Sequence, residues 1–141
     1  MLKVLLAVDG STHAEHAARQ VVRLRDAGCP VEVHVLTVRI PIESGHVRLF
    51  VKPDDIEAYY REEGFADLAG ARAILDAAGI AYTPHIAVGH IAQTIARYAN
   101  EHGFDLVVMG SHGRSALTHV LLGSVASDVI RHTEAPVLLK R

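Results

Sequence analysis

The stretch Gly110-Ser111-His112-Gly113, followed nine residues later by Gly123-Ser124, carries the strongest chemical signal in the chain. It comes directly after the apolar run Leu106-Val107-Val108-Met109, so the glycines fall between a strand tip and the start of a helix. Backbone N–H groups approach an anion closely where no Cβ intervenes, and a helix start adds unpaired donors and the positive end of a dipole. The pattern predicts a phosphate cradle with a nucleotide as its guest. On a purely structural reading of the same residues, Gly110 ends a strand, Gly113 makes a turn and Gly123 eases packing. A lone glycine spacing is weak evidence without its strand–loop–helix context.

A second candidate group is Asp9, in Asp9-Gly10-Ser11 at the end of an apolar run. A carboxylate there can accept two hydroxyl hydrogen bonds at once, or it can serve as a turn residue. The chain has 10 histidines. His13 and His16 share a helical face where a metal could bridge them, or are simply exposed. His112 and His119 flank the glycines and could meet phosphate, which would make affinity depend on pH near 6 to 7.

The elements that must position these groups repeat one order: apolar strand, polar turn, amphipathic helix, glycine stop. Strands are expected at residues 2–8, 31–38, 80–88, 106–109 and 135–139. A helix with a Thr12/Glu15 capping box is expected to run to Ala27-Gly28. A second runs from about Asp54 to Ala78-Gly79, with irregularity near Gly64 and Gly70. The others cover residues 91–102, stopped by Gly103, and 124–132. Residues 39–53 show no clean period and read as a cover over the site or a partly ordered excursion. Five strands alternating with helices imply parallel pairing through right-handed crossovers, hence a three-layer α/β/α sandwich. In such sheets ligands bind beyond the carboxyl ends of strands where strand order reverses, which selects Asp9 and Gly110.

At 141 residues one domain, 1–141, is expected. A net charge of −2 offers no electrostatic footprint for nucleic acid. No apolar run approaches the ~20 residues that cross a bilayer, and Lys3 lies inside a strand pattern instead of a signal peptide. The single cysteine, Cys29, reads as a small buried hydrophobe in a reducing, cytoplasmic setting. The lysines are Lys3, Lys52 and Lys140, none adjoining the glycines in sequence, so the Gly-x-x-x-x-Gly-Lys loop of phosphate-transferring enzymes is missing. That argues for nucleotide binding over rapid hydrolysis. A slow ATPase or self-phosphorylating protein, with Ser111, Ser115, Thr118 or Ser124 as acceptor, is the alternative.

Read together, Leu5-Leu6-Ala7-Val8-Asp9-Gly10-Ser11, Val88-Gly89, the segment from Asp105 to Gly113, Leu122-Gly123-Ser124-Val125 and Pro136-Val137-Leu138-Leu139 resemble the universal stress protein family along the whole chain. The spaced glycines are similar to those of its ATP-binding branch. The resemblance implies an adenine nucleotide alpha hydrolase-like sheet in the order 3-2-1-4-5. It further implies ATP, or ADP or AMP, with Mg or Mn carried through the phosphates. Asp9 would then receive the ribose hydroxyls, backbone around Ala7 and Val38 would meet adenine, and Met109 and Gly110 would line ribose and base. Gly113, Arg114, Gly123, Ser124 and Val125 would surround the phosphates. The family resemblance also implies a nucleotide-responsive stress protein and a homodimer through the last strand, whose edge would otherwise be exposed. Thr37 departs from the histidine many relatives carry before the residue matching Val38.

Overall fold

The computed structural model describes residues 1–113 and 121–141. It is built around a five-stranded, all-parallel sheet in the order β3-β2-β1-β4-β5. The strands are β1 Leu2–Ala7, β2 Val31–Arg39, β3 Tyr82–Val88, β4 Leu106–Gly110 and β5 Val137–Lys140. The helices are α1 Thr12–Asp26, α2 Gly45–Phe50, α3 Pro53–Ala77, α4 Ile91–Glu101 and α5 Ser124–His132.

Strand periodicity sorts the core into two layers. Val4, Leu6, Val33, Val35 and Val108 face one way and pack with Ala17, Val21 of α1 and Leu68, Leu75 of α3. Leu5, Ala7, Leu36, Val38, Val107 and Met109 face the other way, against Ile95 and Ala99 of α4 and Ala126 and Val129 of α5. The central strand β1 is covered on both sides, which is why residues 4–8 read as one unbroken apolar run.

The local expectations mostly hold, with instructive shifts. The glycine stops of α1, α3 and α4 fall at Gly28, Gly79 and Gly103, all at positive φ. The first helix is capped by Ser11, one residue before the expected box, and the Ala14 N–H donates to Ser11 Oγ (3.2 Å). Residues 80 and 81 precede β3, because the Ile80 N–H closes the end of α3 on the Leu75 carbonyl (3.0 Å). The last strand starts two residues later than expected, at Val137, and extends through Lys140.

Two readings are corrected, the irregularity of the second long helix and the burial of Cys29, whereas segment 39–53 is the partly ordered excursion of its two readings. Helix α3 is continuous through Gly64 and Gly70. A Cβ on Gly64 would stand 2.6 Å from Ile86 Cγ2 and one on Gly70 would stand 3.0 Å from Glu15 Cγ, so these glycines permit close approach to β3 and α1 instead of breaking the helix. The aperiodic segment 39–53 contains the short helix α2, capped by Ser44, with none of its residues buried. The Ile42 N–H donates to Tyr60 Oη (2.6 Å), tying the segment to α3. Cys29 is half-buried, not enclosed. Among the described residues no helix is long and apolar enough to cross a membrane.

Candidate functional site

Parallel neighbours β1 and β4 end side by side, with Ala7 opposite Met109. Beyond these tips the chain turns away in opposite directions, toward α1 and toward the glycines, and leaves a cavity of about 390 Å³. Its apolar wall is formed by Ala7, Val38, Ile91, Ile95 and Met109, and its polar wall by Asp9, Ser111, His112 and the residues from Gly123 into α5. The volume and the mixture of apolar wall with a few polar groups suit a small ligand.

Asp9 is held by its own turn: the Ser11 N–H donates to Asp9 Oδ1 (3.0 Å). Its other oxygen lies toward the far rim, 2.8 Å from where a Cβ on Gly113 would stand. Turn residue and site residue are thus the same side chain.

The three glycines differ in purpose, and none needs positive φ. A Cβ on Gly110 would meet His13 Cβ at 2.7 Å and His13 backbone at 3.0 Å, so this glycine lets β4 pass under α1. On Gly123 a Cβ would meet the Ser111 carbonyl oxygen at 3.1 Å, and the Gly123 N–H donates to that same carbonyl (2.7 Å). Gly123 therefore closes the loop on itself as well as starting α5. Of the three, Gly113 is the one whose added Cβ would meet the Asp9 carboxylate. At the start of α5 the first backbone N–H groups have no partner within the helix, and Gly123 supplies no side-chain cap.

Nine of the ten residues singled out in sequence line this one cavity: Ala7, Asp9, Val38, Met109, Gly110, Gly113, Gly123, Ser124 and Val125. The tenth, Arg114, lies outside the described residues, as do Ser115, Thr118 and His119. Sequence reading missed Ile91 and Ile95, whose i, i+4 spacing at the start of α4 was the available signal. β5 brings Lys140 alongside Gly110 in the sheet register, but Lys140 is not among the residues that line the cavity. Residues 40–53 contribute nothing to the lining, so the cover expected there is not found. His13 and His16 stand edge to face at 6.2 Å, and His16 Nδ1 lies 3.2 Å from the Arg141 carbonyl oxygen. Among the described residues no group of three metal-ligating side chains occurs.

Beside the cavity, Asp67 of α3 is buried and accepts from Thr37 Oγ1 (3.1 Å) and Arg39 Nη1 (3.0 Å). Partial burial works against the Arg39 charge, but hydrogen bonding and attraction to Asp67 outweigh it and hold the guanidinium pKa above its ordinary value. Thr37 thus serves the α3 face of β2 while its neighbour Val38 lines the cavity.

This sheet order with a cavity over the β1/β4 switch point defines a doubly wound, all-parallel α/β fold. The model of the Universal stress protein family (Usp) matches residues 1–141, and the chain belongs to that family. Universal stress protein YxiE of Bacillus subtilis is 30% identical over 145 residues, covering 99% of this chain and 98% of that protein. The structure of MJ0577, a protein of Methanocaldococcus jannaschii, superposes with a TM-score of 0.83 at 30% identity, covering 99% of this chain and 94% of that one. The structure of the universal stress protein from Archaeoglobus fulgidus in complex with dAMP superposes with a TM-score of 0.66 at 26% identity, covering 100% of this chain and 98% of that one. Two curated relatives are matched over only 28% and 48% of their own length.

Proposed function

We propose that residues 1–141 form one domain whose cavity holds an adenine nucleotide, ATP with ADP or AMP as alternatives, and that occupancy is read by a partner protein as a regulatory signal in stress. The carrying observation is that Asp9, Gly113 and the open start of α5 share one cavity with an apolar wall. In this reading Asp9 receives the ribose hydroxyls and backbone at Ala7 and Val38 meets the base. Met109 and Gly110 line base and ribose, while Gly113, Arg114, Gly123, Ser124 and Val125 surround the phosphates. A Mg or Mn ion would arrive on the phosphates. The dAMP complex of the Archaeoglobus fulgidus relative supports an adenine nucleotide as the guest. A cytoplasmic homodimer through β5 belongs to the same reading: β5 is a sheet edge, and unlike the opposite edge strand β3, which carries Pro84, it has no proline to block pairing.

Mass spectrometry of small molecules released from the purified protein tests this. An adenine nucleotide near one per chain is expected; none released, and none bound on adding ATP to folded protein, refutes the reading.

One observation favours the second reading, slow hydrolysis or self-phosphorylation. Ser111 Oγ lies 2.9 Å from His112 Nδ1, and both line the cavity. Ser111 Oγ would attack the γ-phosphorus of ATP as its proton passes to His112 and the bond to ADP breaks. Single-turnover incubation with γ-labelled ATP separates the two readings: label on protein, lost in Ser111→Ala, supports transfer, and intact ATP after long incubation supports pure binding.

A further inference from the structure

Away from the polar wall, four side chains on the α4 side of the sheet join into one hydrogen-bonded line. His34 of β2 and His85 of β3 occupy diagonal positions, since His34 pairs with Thr83 and His85 with Leu36. His34 Nδ1 lies 2.9 Å from His85 Nε2, with the rings nearly parallel at 13°. At one end His34 Nε2 meets Glu32 Oε2 (2.9 Å), and at the other His85 Nδ1 meets Tyr98 Oη of α4 (3.0 Å). Phe104 packs edge-on against His34, and His102 lies against Tyr98. The further charges nearby are Lys3, over the Phe104 ring and donating to the His102 carbonyl, and Asp105, which accepts from the Lys3 N–H.

Donor and acceptor accounting fixes how this line responds to protons. With both imidazoles neutral, Tyr98 O–H donates to His85 Nδ1, His85 Nε2–H donates to His34 Nδ1, and His34 Nε2–H donates to Glu32. One added proton is accommodated by reversal: His34 becomes imidazolium and donates from both nitrogens, while His85 accepts at Nε2 and donates from Nδ1 to the Tyr98 oxygen. A second proton has no such solution, because two N–H groups then face each other across 2.9 Å. That separation is an N–H···N hydrogen bond, and no group of three metal ligands occurs among the described residues, so the guest between the rings is a proton.

We propose that this line is a proton-operated latch on α4, kept through the first protonation and broken by the second, when the His85 ring turns away from the facing His34 N–H and gives up Tyr98 with it, which frees the C-terminal half of α4 from β3 and loosens the wall that Ile91 and Ile95 form at the cavity. Its link to ligand affinity rests on the nucleotide reading; the latch itself does not. Burial, then the charge of His34, then that of His102 hold the His85 pKa below its ordinary 6.5, so the break belongs to mildly acidic pH.

Amide hydrogen exchange on nucleotide-free protein between pH 7 and pH 5, corrected for intrinsic rates, reads the latch. Protection in the second half of α4 is expected to fall about tenfold relative to α1, the size that losing one hydrogen bond would give. In Tyr98→Phe, which keeps the ring, and in His85→Leu, α4 protection should already be low at pH 7 and flat with pH. Parallel changes in α1 and α4, or a folded His85→Leu that responds as wild type, overturn the latch. Adenosine, lacking phosphates, reads the coupling apart from His112: its affinity should fall with α4 protection, and constant affinity while α4 opens overturns the proposal as regulation. If adenosine fails to bind even at pH 7, titration with ATP at pH 7 decides the nucleotide reading, and exchange alone still decides the latch.

Discussion

Gly113 stands opposite the carboxylate of Asp9 across the cavity, so near that a Cβ there would lie 2.8 Å from Asp9 Oδ2. This one approach joins the tip of β1 to the loop after β4. The obstructing atom is the far end of a side chain and not backbone, so Gly113→Ala should displace the carboxylate at modest cost to the fold. Loss of a hydrogen bond to a charged group is worth about 1.5–3 kcal/mol, so adenine nucleotide affinity should fall about 10- to 100-fold with the melting temperature nearly unchanged. Calorimetric titration and thermal unfolding of the same sample check both halves.

Gly110→Ala should behave in the opposite way. Its Cβ would strike His13 Cβ and backbone, which cannot swing aside, so overpacking should cost about 1–3 kcal/mol of stability, measured by urea unfolding.

In α3, Gly64→Ala sets two effects against each other. Alanine improves helix propensity by about 1 kcal/mol, whereas contact with Ile86 at 2.6 Å costs about 1–3 kcal/mol. The clash should win. Adding Ile86→Val should recover part of the loss, as a double-mutant cycle would register.

Asp67→Ala would strip Thr37 and Arg39 of a shared acceptor. Because Arg39 keeps contact with water, the cost should be about 1–3 kcal/mol instead of the larger figure for a fully buried pair. Unfolding midpoints of Asp67→Ala against wild type measure it.

How far these features were legible beforehand depended on their range in sequence. The glycine stops at Gly28, Gly79 and Gly103 are local signals and were read correctly. Asp9, Gly110, Gly113, Gly123 and Ser124 carried local signals in glycine spacing and strand ends, Ala7, Val38, Met109 and Val125 came from the family resemblance, and the grouping of Asp9 with the glycine loop followed from the switch-point rule. Helix α2 escaped because periodicity records burial, and none of its residues is buried. Gly64 and Gly70 misled because their partners, Ile86 and Glu15, are far along the chain. The pairing of Lys140 with Gly110 and the diagonal of His34 and His85 depend on sheet register, which no short window contains.

Stability should also depend on His85. Its folded pKa is lowered, so the unfolded chain takes up the proton first as pH falls through 6.5. Its contribution is therefore full above 6.5 and is lost as pH falls from there through the lowered folded pKa. Urea unfolding of wild type should weaken from pH 7 to pH 5 more than that of His85→Leu; equal slopes would contradict it.

A crystal structure of the chain grown with ATP tests the central claim most directly. It should show ribose hydroxyls on Asp9, phosphates over Gly113 and the start of α5, and the base between Val38 and Met109. Nucleotide bound elsewhere, or a cavity empty at saturating ATP, would contradict the account.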